Sequence, residues 1–473
     1  MVNPTLNLIS LFGIFALCAI AWLGSEERRI VPWKTLAVGI GLQLLAGVIF
    51  FILGVRGVEG SNHWLDNVFQ ASGAGTGFLF GSGSAPEPAQ VPDPGAAARW
   101  IAGALGSPDA MISGEQTELG ANASFQPSNL SSIFAFRNFP AIVFWSALVS
   151  LLYGLNLIQP VVRIFAWIFQ RAMNLSGAES LAGAASLFVG IESAIAVKPF
   201  LLGMTRSELC AVLASCFGSL GAPVFWLYIG LLRPTFPDIF GHFVAASFLT
   251  IPACFVISKL LVPETEIPET MGDISEFIEG EREEPNGAIA RFVIGAIEGL
   301  KVVLGIVAVV IAILGIIKLF DLGLRGLSSW LITVIGADLQ SDSLFVQFLS
   351  NPLSNLLGML FLPLAFLTGI SLEWQELWNS SLLIGRRLIE TSFPPYQSLV
   401  QLQAAGEMSD RALLIVTYVL RGFAHLAGFG IFVGGIAALV PERRSEIAAV
   451  GFKALWAATL ATLMTGCIVG IFS

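Results

Sequence analysis

Apolar runs alternate along this chain with short polar ones, and they are of two kinds. Some are long enough to cross a bilayer as a helix, which takes about 20 residues. These predict spanning helices near residues 5–23, 33–55, 134–156, 207–232, 240–262, 292–320, 411–440 and 448–472, about eight in all. The others are apolar but interrupted. Residues 64–80 (WLDNVFQASGAGTGFLF) and 158–173 (IQPVVRIFAWIFQRAM) look amphipathic and predict interfacial helices. Residues 352–374 predict another interfacial or half-buried segment. Residues 176–200 and 377–404 are too broken to span, and predict two re-entrant hairpins.

The first hairpin reads SGAESLAGAASLFVGIESAIAVKPF. It is apolar, yet it carries Glu179, Glu192 and Lys198, with Gly177, Gly183 and Gly190 between them. A carboxylate at bilayer depth is costly unless it lines a wet cavity or meets a partner. Irregular backbone at that depth survives only inside protein or against water. A solute or ion pathway needs such a segment, whereas a simple anchor does not. Glu179 also has a plainer reading, as a carboxylate in the first turn of a helix.

In the second broken region, GRRLIETSFPPY (385–396), Arg386, Arg387 and Glu390 interrupt an apolar stretch. Pro394 and Pro395 remove two successive backbone donors, so a helix is predicted not to continue through them. RGFAHLAGFG (421–430) follows, with Arg421 and His425 four apart and so on one face of a continuous helix. Gly422, Gly428 and Gly430 weaken that helix locally. Taken singly, Arg421 reads as a snorkelling side chain and His425 as a bond to a neighbouring helix. Two broken, polar segments in separate halves of a chain together point to a transporter's central site.

Composition supports this picture. Mean hydropathy is +0.80, with 55% hydrophobic and 12% charged residues, against about 25% charged in soluble domains. The fold class is an all-α polytopic membrane protein. The net charge of -9 comes mainly from loops and implies no nucleic-acid partner. Cys18, Cys210, Cys216, Cys254 and Cys467 form no CxxC pair and read as core thiols. His63, His242 and His425 are too scattered for a metal cluster. GAGTGFLFG (73–81) lacks the lysine of a nucleotide-binding loop, so no organic cofactor and no ATP hydrolysis are expected. The first segment has no basic n-region and reads as a retained helix. Residues 82–132 read as a flexible extracytoplasmic loop and 263–288 as an acidic cytoplasmic one. With eight spans, the basic residues Arg28, Arg29, Lys34, Arg163, Arg171, Arg206, Lys259, Arg282, Arg291, Arg443 and Arg444 fall on one side, which predicts the cytoplasm there.

The chain resembles the concentrative nucleoside transporters. The pieces that carry the resemblance are FAFRNFPAIVFWSALVSLLYGL (134–155), SGAESLAGAASLFVG (176–190), KPFLLGMTRSEL (198–209), ISKLLVPETE (257–266), PLAFLTGISLEW (363–374) and ALVPERRSEIAAVG (438–451). It covers nearly all of residues 5–472 apart from 82–132. What it implies is a multi-pass inner-membrane symporter, usually a homotrimer, importing nucleosides with sodium or, in some members, protons. A scaffold holds the subunits together. Two re-entrant hairpins and two broken helices carry solute by an elevator-like motion, with the substrate between hairpin tips and breaks. On this reading residues 1–62 are an N-terminal scaffold pair and 63–133 an interfacial helix and loop. Residues 134–175 are a scaffold helix and an interfacial helix, and 176–262 the first hairpin with its following helices. Residues 263–350 are an acidic loop and a scaffold helix, and 351–473 carry the second hairpin, the second broken helix and the last helix.

The resemblance also implies site residues. For the cation these are Ser186, where the family has asparagine, with Val189, Ser219 and Leu220. For substrate they are Gly190, Ile191, Glu192, Phe225, Glu390, Thr391, Ser392, Phe423, His425 and Gly428. Ile191 replaces a glutamine that meets the base, and VKPF at 197–200 favours a one-residue deletion that makes Glu192 the family glutamate. Ser392 stands where a glutamate holds the ribose hydroxyls, and His425 where an asparagine contacts the sugar. Arg421 adds a positive charge near the site, to pair with Glu192 or Glu390 or to contact an anionic solute. Serine cannot supply the charge-assisted bonds of a carboxylate, so the ribose grip is expected to be weaker. Two alternatives stay open: the same machine moving an anionic or nucleobase-like solute, and a non-transporting gate or receptor. Sodium is the expected coupling ion; Glu192 or His425 could carry a proton instead.

Overall fold

The computed structural model describes residues 4–52, 134–155, 157–188, 197–233, 235–271, 287–335 and 351–473, with residues 71, 74 and 193. Among the described residues all regular structure is helical. The expected 82–132 loop, most of the 64–80 helix and most of the acidic loop lie outside them.

In chain order, α1 (Pro4–Leu23) and α2 (Trp33–Ile52) are each 20 apolar residues long. They are followed by α3 (Phe134–Gly154), α4 (Gln159–Met173) and the short α5 (Gly177–Ala185). Next come α6 (Arg206–Gly218), α7 (Ala222–Leu232) and α8 (Ile239–Leu261). The 48-residue α9 (Ala288–Ile335) contains the span expected at 292–320. Then come α10 (Pro352–Leu367), α11 (Trp374–Glu390) and α12 (Phe393–Ala404). The chain closes with α13 (Asp410–Leu420), α14 (Leu426–Leu439) and α15 (Arg444–Phe472).

Two expected continuous spans are therefore broken. The 207–232 run is α6 and α7, and the 411–440 run is α13 and α14. Among the described residues, four helices are long and apolar enough to cross a membrane: α1, α2, α8 and the stretch Pro441–Phe472. As expected, α11 does not continue through Pro394 and Pro395 but ends at Glu390. The pair then sits in the first turn of α12, which needs no backbone donors and suits proline's fixed φ.

The chain divides into two compact units. One comprises Met1–Arg56, Asn156–Pro285 and Ile306–Ser473. At its centre lies α15, buried from Ala457 to Gly470 and packed by α1, α6, α8, α13 and α14. Arg411 staples this unit, donating to the carbonyls of Gly369 (2.9 Å), Gly470 (2.7 Å) and Ser473 (2.6 Å) and to Asn7 Oδ1 (2.9 Å). Helix α4 buries Val162, Ala166, Phe169 and Met173 and exposes Ile164 and Trp167, the amphipathic division its sequence predicts. All five cysteines are free and buried. The other unit comprises Gly57–Leu155 and Asn286–Gly305. In it Ser150 of α3 donates to the Arg291 carbonyl at 2.8 Å. Gly295 and Gly299 lie against Ser150 and Ser146, so the two backbones approach closely.

Both α5 and α6 start with a capping box, in which a serine or threonine and a glutamate three residues on satisfy each other's backbone donors. Ser176 N–H donates to Glu179 at 2.7 Å, and Thr205 N–H donates to Glu208 at 2.7 Å. Lys259 joins the two starts: its Nζ lies 2.8 Å from Glu179, 3.0 Å from Ser207 and 3.1 Å from Glu264. The plainer reading of Glu179 is thus correct, and Lys259 is buried against it. In the α1–α2 loop, Arg206 and Lys453 converge on Glu26 at 2.8 and 3.0 Å. The Arg206 guanidinium holds the Glu26 carboxyl below the usual carboxylate range.

Candidate transport site at two helix breaks

The first break lies between α6 and α7, where Ser219 is extended and Gly221 precedes the new helix. The second lies between α13 and α14 and runs from Arg421 to His425. Arg421 and His425 therefore do not share a helix face, contrary to their spacing. Gly422 has φ +106, and a Cβ on it would press on the carbonyls of Phe217 and Gly218 at 3.0 Å. Only glycine combines that φ with that approach at no steric cost. The next N–H, of Phe423, donates to the Phe217 carbonyl at 2.7 Å. The second break thus crosses the C-terminal end of α6 and satisfies one of its orphan carbonyls.

His425 starts α14. Its backbone is extended and its Nδ1 accepts the Gly428 N–H at 2.9 Å. A neutral ring held this way carries its proton on Nε2 and presents a donor there. Gly428 is needed at that turn, since a Cβ would meet the Phe423 carbonyl. The Phe423 ring lies 5.6 Å from both His425 and Phe432.

The tip joining α11 to α12 reaches the same crossing. Thr391 has φ +72, and its Oγ1 accepts the Phe393 N–H at 3.4 Å. Ser392 is fully buried and donates to the Gly422 carbonyl at 3.1 Å. The Tyr228 hydroxyl of α7 lies close enough to interact with the same serine. Tyr228 packs on Tyr396 at 4.9 Å, and the Tyr396 hydroxyl donates to the Thr417 carbonyl at 2.8 Å. Arg387 donates to the Val419 carbonyl and, at 3.1 Å, to Thr462. Tyr396 and Arg387 together cover the carbonyl end of α13, where positive charge is favourable.

Glu390 is engaged elsewhere. Arg386, one turn back, holds its carboxylate with Nε at 3.0 Å and Nη2 at 2.8 Å. It does not pair with Arg421. Arg421 is buried and donates to Ser247 of α8 at 2.5 Å, while its Nε and Nη1 have no hydrogen-bond partner among the described residues. Phe225 packs on Phe240 and Phe243 at 5.9 and 5.8 Å, and Phe243 reaches Tyr396 at 6.2 Å.

On the cation side, Ser186 Oγ lies 2.9 Å from the Ala182 carbonyl and 2.9 Å from Ser193 Oγ, which lies 3.4 Å from Cys216 Sγ. Ser219 donates to the Cys216 carbonyl at 3.1 Å, and Leu220 is buried beside it. Val189, Gly190, Ile191 and Glu192 lie outside the described residues. With its proton on a backbone carbonyl, the Ser219 oxygen keeps its lone pairs for a ligand. Neutral hydroxyl and carbonyl oxygens suit a hard cation, so the donor types of Ser186, Ser219 and the Leu220 backbone are compatible with a sodium ion.

The structure thus gathers Thr391, Ser392, Phe423, His425 and Gly428 around one crossing, with Ser219 and Leu220 on its α6 side. It turns Glu390 away. Sequence reasoning missed Tyr228, Tyr396 and Ser247, and saw Arg387 only as an interruption of an apolar stretch. One signal was available: the chain has only four tyrosines, and Tyr228, Tyr396 and Tyr418 are all buried here.

Two discontinuous helices meeting a helix–turn–helix tip define a secondary membrane transporter. Residues 12–83 match the profile described as Na+ dependent nucleoside transporter N-terminus, 242–470 match its C-terminus, and 135–235 match a nucleoside recognition Gate profile. NupX of Escherichia coli, a nucleoside permease by name, is 30% identical over 98% of each chain. The transporter YutK of Bacillus subtilis is 34% identical over 72% of this chain and 78% of its own. The solved structure of CNTnw in an inward-facing, substrate-bound state superposes with a TM-score of 0.77 at 28% identity, covering 99% of this chain and 98% of that one. The chain belongs to the concentrative, Na+ dependent nucleoside transporter family. It is a multi-pass membrane transporter with the elevator-type fold, and the family is one of transporters rather than enzymes.

Proposed function

We propose that this chain is a sodium-coupled symporter that imports nucleosides across the plasma membrane and grips the ribose weakly. The observation that carries this reading is Ser392. Its hydroxyl proton goes to the Gly422 carbonyl, and the nearby Glu390 is held by Arg386. Among the described residues, the α11–α12 tip therefore offers no free carboxylate to accept ribose hydroxyls. His425 Nε2 and the Thr391 hydroxyl remain as neutral sugar contacts, with Phe423 beside them. Ser186, Val189, Ser219 and Leu220 hold the sodium, whose electrochemical gradient drives uptake. Family membership does not favour the two alternatives, a different solute or a non-transporting gate.

We also propose a homotrimer. What supports it is the resemblance to the family, whose members are usually trimers.

The test of the weak ribose grip is competition between uridine and 2′-deoxyuridine in proteoliposomes. A site built to bond a hydroxyl rejects the analogue lacking it by about 10⁴–10⁵. Here the two should differ by no more than about tenfold in transport efficiency. A preference for uridine above about 10³ would contradict the proposed role of Ser392.

A further inference from the structure

We infer that Arg421 is a fixed positive charge that sets how tightly the coupling cation is held at the first helix break; this rests on the sodium coupling proposed above. The residue is anchored at the crossing. Its neighbour Gly422 lies against the Phe217 and Gly218 carbonyls, and Ser219 is the next residue of the break. Its side chain reaches α8, where it donates to Ser247, one turn before Thr250, whose methyl group lies against Gly218. A Cβ on Gly218 would also meet the Cys254 sulfur, so α8 closes that side of the first break. The guanidinium therefore sits in the wall of the first break, on the α8 side.

Nothing described offsets its charge. The groups around it are Ser247 and Cys254 of α8, Tyr418 of α13 and Tyr396 of α12, all neutral. A second cation, Arg387, also has Tyr396 as a neighbour and so does not offset it. Arg421 is 1% exposed, so water does not screen it. A like charge in such surroundings disfavours a second cation, and in a medium of reduced dielectric the penalty reaches about tenfold in affinity or more. A small neutral residue at this position would leave the same oxygens without that penalty. Arg421 thus acts through the field at the ion site, as a residue that tunes coupling rather than one that touches substrate.

The experiment measures uridine uptake against sodium concentration at fixed pH in proteoliposomes. It compares the unaltered protein with Arg421→Met, Arg421→Gln and Arg421→Lys, Gln retaining the polar contact to Ser247. Sodium-induced shifts in thermal unfolding of the purified proteins give binding without transport. The expected result is a half-saturating sodium concentration at least about tenfold lower in the Met and Gln variants. The Lys variant should stay within about threefold of the unaltered protein, and the uridine KM at saturating sodium should not change. If the unaltered protein ignores sodium and the neutral variants acquire a requirement, Arg421 stands in for the ion, and the inference holds while sodium coupling of the native chain falls. Unchanged sodium dependence in both neutral variants, or none in any protein, overturns the inference.

Discussion

At the scale of single residues, the site depends on backbone positions as much as on side chains. Gly422 lets the second break lie on the first, because a Cβ there would meet two carbonyls at 3.0 Å on a left-handed backbone. Holding a non-glycine residue in such a conformation costs about 1–3 kcal/mol. Gly422→Ala should therefore lower the unfolding temperature by several degrees and depress uptake. Gly430→Ala, with nothing within 4 Å of its Cβ, should leave both nearly unchanged; thermal unfolding and uridine uptake of the two variants check this. The replacements at Ser392 and His425 were legible in the sequence, because each stands inside a recognisable motif. Tyr396 was not. Its partner is the carbonyl of Thr417, 21 residues on, and a bond between a side chain and distant backbone leaves no local pattern. Arg421 was legible as an odd charge but not as an unpaired one, since its surroundings come from α8, α12 and α13.

At the scale of elements, half-helices rather than full spans build the site. The run 207–232 reads as continuous because its interruption is as apolar or small as its flanks, Ser219, Leu220 and Gly221 carrying no periodic signal; in 411–440 the polar Arg421 and His425 marked the weak point but not that the helix stops there. The prolines at 394 and 395 were visible, but whether proline stops or starts a helix depends on where the first turn falls, and the α11–α12 turn decides that. The capping boxes of α5 and α6 were partly legible, as the glutamate at a helix start. Their connection through buried Lys259 was not, because it joins residues 179, 207, 259 and 264. Removing one member of a buried ion pair leaves the other uncompensated, at about 3–5 kcal/mol. Lys259→Met should be strongly destabilised, and Lys259→Met with Glu179→Gln should recover at least about 1 kcal/mol of that loss, the coupling expected of contacting residues. Chemical or thermal unfolding of the single and double variants gives the number. Simple additivity would mean that Lys259 acts through Ser207 and Glu264 instead.

At the scale of the whole molecule, hydropathy alone identified a helical membrane protein, and paired broken segments identified a transporter. Among the described residues four long apolar helices accompany the shorter ones, and the unit that contains α1 and α2 also contains both breaks and the α11–α12 tip. The N-terminal pair thus belongs with the site elements in the contact pattern, something no run of hydrophobicity along the chain could announce. The function that follows is concentrative: sodium moving down its gradient carries nucleoside up its own. Purified protein in liposomes with an inward sodium gradient and labelled uridine outside tests this most directly. Uridine should accumulate inside above its external concentration and fall back to equilibrium when a sodium ionophore dissipates the gradient. Entry that stops at equal concentrations on both sides, or that is indifferent to the gradient, would contradict sodium-coupled nucleoside symport.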